Sequence, residues 1–252
     1  MKDQLLEIEA KYHVKVLFAC EAGSRAWGLA SENSDHDVRF IYVHPLEWYL
    51  DIDQKRDVIE NPITKSLDLS GWDLRKALFL LKKSNPPLLE WLHSDIIYMK
   101  ESPFYDEMKN LANRAFSAKA CLFHYLNMAK RNAKNIFQKD RIKVKQYLNV
   151  LRPLLSCKAM EAEGSFPTVH FPNLAAKLIT DDKLKKEINQ LIHLKRAEKE
   201  YISRAELFYT NEYIKSELLY LEEYVNTITV KKGDITEELN QFFRKTLKEG
   251  TS

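Results

Sequence analysis

Two apolar, β-branched runs, VKVLFAC at 14–20 and DVRFIYV at 37–43, lie close together in the chain. The segment between them carries Gly23-Ser24 near its start and closes on Asp35-His36. Such runs read as strands, the first covered on both faces, and commit this end of the chain to a sheet. A third run, ITKSLDLSG at 63–71, alternates strictly. Ile63, Lys65, Leu67 and Leu69 fall on one side and Thr64, Ser66, Asp68 and Ser70 on the other, the pattern of a half-buried strand. EWYLDI, between the second and third runs, fits either helix or strand.

Around the strands the signals are helical. Residues 2–12 carry Leu5, Leu6 and Ile8 on a charged background, and WDLRKALFLLKK opens after Gly71. That helix stops at SNPP, where Asn85 caps a short helix, PPLLEWLHS. Beyond about residue 103 the pattern is helical over 104–137, 141–162, 173–200, 204–228 and 235–248, with Pro167 and Pro172 as breaks. The chain therefore divides into an α/β part, 1–102, and a helical part, 103–252.

Composition excludes several classes. The 252 residues are 45% hydrophobic, enough for a core, yet no run approaches a membrane span. MKDQLLEIEA carries charges where a secretory signal would be apolar, so a cytoplasmic address is expected. Cys20, Cys121 and Cys157 lack metal-ligand or disulfide spacing and read as core thiols. The histidines form no HxH or HExxH pair.

The acids carry the chemistry. On a strand, residues i and i+2 face one way, so Asp35 and Asp37 are expected to project together with His36 opposite them. Two carboxylates so close call for a cation between them, and oxygen ligation suits Mg²⁺; the plain alternative is a pair of solvated turn acids. The Gly23-Ser24 turn lets backbone approach phosphate oxygens. Two-metal phosphoryl transfer wants a third carboxylate. Asp73 is placed to cap the helix that follows it, which leaves Asp68, on the polar side of the third strand, as the expected third ligand.

Gly23-Ser24, the ten-residue spacer, and Asp35-x-Asp37 before an apolar strand resemble the signature of the DNA polymerase β nucleotidyltransferase superfamily. The Asp68 strand, Leu74-Arg75-Lys76, Ser84-Asn85-Pro86 and Leu89-Glu90-Trp91-Leu92 are similar to the YcgL-like predicted bacterial nucleotidyltransferases, which have RNA-repair-associated relatives. Lys143-x-Lys145-x-Tyr147 and Arg152-Pro153-Leu154-Leu155 resemble that family's second block. The resemblance implies an α+β fold, with a small mixed β-sheet nucleotidyltransferase core and flanking helices followed by an all-helical C-terminal domain. It also implies transfer of a nucleoside monophosphate from a nucleoside triphosphate to an acceptor hydroxyl, with two Mg²⁺ ions as cofactors. Gly23 and Ser24 would contact the triphosphate, Asp35 and Asp37 would bind both metals, and Asp68 would complete the second site and accept the acceptor's proton.

Net charge is +3, but residues 109–158 hold twelve Lys and Arg against the single acid Asp140. That bias points to RNA or another polyanionic acceptor, although a solvated face gives the same count. Lys76, Lys143, Lys145 and Arg152 are the candidate nucleotide-binding cations, Arg75 and Lys76 being equally consistent with a solvated helix face. Trp27 either packs or stacks a base. The competing reading from another class is a non-catalytic nucleic-acid-binding or regulatory module on the same scaffold; a third is a metal phosphohydrolase.

Overall fold

The computed structural model describes residues 1–60, 66–134, 136–229 and 233–250. They group into two compact units. The first comprises Met1–Gly23, Asp35–Phe116 and Lys232–Ser252, and the second Ser24–Ser34 with Ser117–Lys231. Relative to a division at residue 102, the helix after that point stays with the sheet, the last helix joins it, and the 24–34 loop belongs with the helical unit.

The first unit is built on a five-stranded mixed sheet, with β1 (Lys15–Glu21), β2 (His36–Val43), β3 (Val58–Glu60), β4 (Leu67–Asp73) and β5 (Ile97–Lys100) in the order β3-β4-β2-β1-β5. β2 and β4 are parallel and every other pair is antiparallel. One face of β2, through Val38, Phe40 and Tyr42, packs with Leu5 and Ile8 of α1 (Lys2–Tyr12) in a common core. The opposite face carries Asp37, Arg39 and Ile41 by strand alternation.

Gly71 does not open a helix. It lies inside β4 opposite Phe40, and a Cβ there would overlap the Phe40 ring, so glycine is what lets the ring lie flat on the strand. The strand runs on to Asp73, whose carboxylate caps α4 (Leu74–Lys82) by accepting from the Arg75 N–H at 2.8 Å. Residues 63–65 of the expected third strand lie outside the described residues. β3 had no sequence signal of its own, and the ambiguous segment before it forms α3 (Leu46–Leu50).

α2 (Gly23–Ala26) follows β1, and α5 (Pro86–Leu92) is capped by Asn85 as expected. α6 (Ser102–Ala115) completes the sheet unit together with α12 (Thr236–Gly250). Phe104 stacks on Phe242, Arg114 pairs with Glu238 at 2.7 Å, and Lys245 pairs with Glu107 at 2.7 Å.

In the helical unit, α7 (Ala118–Ala133) starts at Ser117, whose Oγ accepts from the Ala120 N–H. That cap breaks the expected 104–137 helix in two. α8 (Val144–Glu163) is the central element, burying Tyr147, Leu151, Leu154, Leu155 and Met160. α9 (Phe171–Leu178), α10 (Asp182–Arg196) and α11 (Phe208–Thr227) surround it, and a ribbon of β6 (Arg141–Lys143) and β7 (Tyr201–Ser203) precedes α8 in space. The 24–34 loop is fastened within this unit. Phe171 N–H donates to the Trp27 carbonyl at 3.0 Å, Arg196 to the Gly28 carbonyl at 2.7 Å, and Asn33 to Glu198 at 3.0 Å.

All three cysteines are free and buried, and burial pushes the Cys20 and Cys157 thiols far above the usual range, as core thiols require. No helix among the described residues is long and apolar enough to cross a membrane.

Candidate active site

β2 and β4 lie side by side in parallel register, and Asp37 is the direct partner of Asp68. Register partners on neighbouring strands share a face, so the two carboxylates rise together from the start of both strands. Arg39, two residues beyond Asp37 and hence on the same face, reaches back between them. Its Nη2 donates to Asp68 Oδ2 at 2.7 Å and to Asp37 Oδ1 at 3.2 Å, while Nη1 donates to the Val38 and Asp68 carbonyls, each at 3.1 Å.

Asp37 is the strained member of the pair. Burial pushes its carboxyl above the ordinary range; Arg39 opposes this, and the charges of Asp68, Glu21 and Asp35 reinforce it. Gly23, at φ 58, is the residue that allows its position. A Cβ on Gly23 would overlap Asp37 Oδ2 and stand 2.7 Å from Cγ. The backbone closes the same corner, with Ala22 N–H donating to the Asp37 carbonyl at 2.7 Å.

Behind the pair lies a buried carboxylate without a signal in the sequence beyond its place at the end of an apolar strand. Glu21 is fully buried, accepts the Asp37 N–H at 2.6 Å and the Tyr98 hydroxyl, and lies 2.8 Å from His36 Nδ1. These contacts fix the first turn of β2 and turn the His36 ring toward Glu21. Arg39 could have been noticed as the lone cation in the DVRFIYV run.

Asp35 precedes β2 and is exposed; it is near enough for its charge to bear on Asp37. Among the described residues no group of three or more His, Cys, Asp and Glu is gathered to hold a metal; of the three expected carboxylates, Asp37 and Asp68 stand in direct register. Ser24 follows Gly23 at the start of α2 and belongs to the helical unit, where its carbonyl accepts from Leu29 N–H at 2.9 Å.

Lys76 lies past the far end of β4, which rises roughly 16 Å from Asp68 to Asp73. There it pairs with Asp57 at 2.8 Å and lines a cavity of about 430 Å³ with Trp48, Tyr49 and Arg75; it is not brought to the acid pair. Lys143 ends β6 and pairs with Glu200 at 2.7 Å, and the exposed Lys145 lies in the first turn of α8. Arg152 is not on an exposed face. It is 7% exposed, and its guanidinium lies 3.9 Å above the Trp27 ring, an arrangement that suits a planar cation with an apolar stem. That contact takes one face of Trp27.

The basic segment is also less one-sided than its local count. Lys130 pairs with Glu222 and Lys158 with Glu217, acids supplied by α11 from far along the chain. Among the described residues, Arg131, Lys134, Lys139 and Lys145 are exposed and make no ion pair.

A sequence model described as "RlaP: RNA repair pathway DNA polymerase beta family" matches residues 1–245. The chain belongs to the RlaP family. Over 247 residues it is 44% identical to the "Uncharacterized protein YcgL" of Bacillus subtilis (strain 168), covering 98% of this chain and 95% of YcgL. A crystal structure of a nucleotidyltransferase-like protein from Exiguobacterium sibiricum aligns over 99% of this chain and 92% of its own, at 16% identity and a TM-score of 0.31. At that score the RlaP assignment rests on sequence.

Proposed function

We propose that the protein is a divalent-metal-dependent nucleotidyltransferase that moves a nucleoside monophosphate from a nucleoside triphosphate to an acceptor hydroxyl, with RNA as the acceptor. The observation that carries this is the in-register pair Asp37 and Asp68, two half-buried carboxylates reached by one cationic nitrogen.

The donor set fits Mg²⁺. Both groups offer oxygen only, and burial penalises the charge on Asp37, a cost that Arg39 offsets in part and a bound divalent ion would offset further. Asp37 and Asp68 would hold the metal, with Asp35 at the rim; bound there, the ion would stabilise charge on the phosphate oxygens. The chain's own groups supply the rest. Gly23 keeps the backbone low beside Asp37 so that phosphate can come close, and Ser24 follows it in the same turn. Glu21 holds the Asp37 N–H and so fixes the carboxylate's direction. Asp68 accepts the proton from the attacking hydroxyl.

The family's RNA repair description and the exposed cations Arg131, Lys134, Lys139 and Lys145 support RNA as the partner. A cytoplasmic location is part of the same proposal. One observation favours the non-catalytic module: the space between the carboxylates is spanned by Arg39.

The test is incubation with α-labelled nucleoside triphosphates, Mg²⁺ and a mixed RNA pool. The expected result is pyrophosphate release with label entering RNA, abolished in Asp37→Asn and Asp68→Asn proteins that still unfold cooperatively. RNA binding without pyrophosphate release identifies the module, and free phosphate without a labelled acceptor identifies a phosphohydrolase.

A further inference from the structure

Arg39 makes four contacts with one guanidinium, two to carboxylates and two to backbone carbonyls, and its side chain is only 19% exposed. Nη2 stands within 3.2 Å of both Asp37 Oδ1 and Asp68 Oδ2, the same two side chains that would ligate a metal.

We infer that Arg39 is a resident counter-cation that must swing out before a divalent ion can bind between Asp37 and Asp68, and that a triphosphate draws it out. This rests on the nucleotidyltransferase reading above. In the free protein Arg39 neutralises the pair and limits their repulsion, so the site is pre-assembled. The same bonds make metal entry a competition. Breaking them is compensated only when another anion takes over the guanidinium, and phosphate oxygens, which Arg binds bidentately, are the anions a nucleotide brings. Metal and triphosphate therefore bind with positive coupling, and the carboxylates are not exposed to stray divalent ions between turnovers.

The probe is Mn²⁺, titrated without nucleotide into wild type and Arg39→Gln and read by the loss of free Mn²⁺ paramagnetic signal. Arg39→Gln is expected to bind Mn²⁺ at least tenfold more tightly than wild type. Thermal shifts give the second readout. Wild type should gain more from Mn²⁺ plus ATP than from the two added separately, and Arg39→Gln should lose that excess.

Equal or weaker Mn²⁺ binding by Arg39→Gln, with binding still abolished by Asp68→Asn, overturns the role of Arg39 and leaves the metal site standing. Failure of either protein to bind Mn²⁺, even with ATP present, overturns both this inference and the metal-dependent reading beneath it. Should Arg39→Gln not fold, Arg39→Lys replaces it. A single ammonium cannot hold two carbonyls and two carboxylates, so Mn²⁺ should bind at least threefold more tightly than to wild type, and equal affinity refutes the inference.

Discussion

Replacing Gly23 with alanine tests the site where its geometry is tightest. The added Cβ would stand 2.7 Å from Asp37 Cγ, whereas carbon atoms rest at about 3.5 to 4.0 Å, so the carboxylate must retreat by about 1 Å. Gly23 also sits at φ 58, where a residue with a Cβ pays about 1 to 2 kcal/mol. Two separable effects follow. Urea unfolding should show a loss of about 2 to 3 kcal/mol, the backbone strain plus about 1 kcal/mol from the weakened pairing of Asp37 with Arg39. Pyrophosphate release should fall by about a hundredfold, the usual consequence of a 1 Å error in a catalytic group. A double-mutant cycle divides the terms. In an Asp37→Ala background the carboxylate is gone, and Gly23→Ala should cost only the backbone part. The reasoning is refuted if Gly23→Ala alone turns over within threefold of wild type, or if its stability cost is the same in both backgrounds.

Gly71→Ala presses a methyl into the Phe40 ring in the middle of the core, so it should destabilise by about 2 kcal/mol in urea unfolding; unchanged stability would remove the close approach as the reason for glycine. His44, stacked on Trp48 at 4.0 Å, is lowered from 6.5 to about 4 by burial, with the Lys55 charge adding to it. Because the folded state resists protonation, the stability His44 permits is complete above pH 6.5 and is lost as pH falls toward 4; with the ring only partly buried, solvent screening holds the loss to about 1 kcal/mol. Thermal unfolding of His44→Gln against wild type across that window checks this, and parallel pH slopes would contradict it. Lys145→Ala should lower the slope of log affinity for RNA against log salt by about 0.7 to 0.9, one phosphate contact; an unaltered slope takes Lys145 off the RNA surface.

Local periodicity in the sequence determined the parts whose causes are local. Apolar, β-branched runs made β1 and β2, alternation made β4, and Asp73 and Asn85 marked helix starts because a side-chain oxygen satisfies free N–H groups a few residues away. Asp68 could be chosen over Asp73 for the same reason: a capping carboxylate is already engaged. The tertiary structure alone decided what depends on partners distant in sequence. The parallel register that sets Asp37 beside Asp68 is made by hydrogen bonds between strands thirty residues apart, and neither strand encodes it. Arg39 acquires its role only when both acids flank it, and Glu21 only when β2 and β5 bring an N–H and Tyr98 to it. Charge behaved likewise. Twelve cations in fifty residues looked like an open basic field until α11 returned with Glu217 and Glu222, and Arg152 folded under Trp27. Charge and coordination act through space, and a linear window sees only the neighbours that the peptide bond supplies.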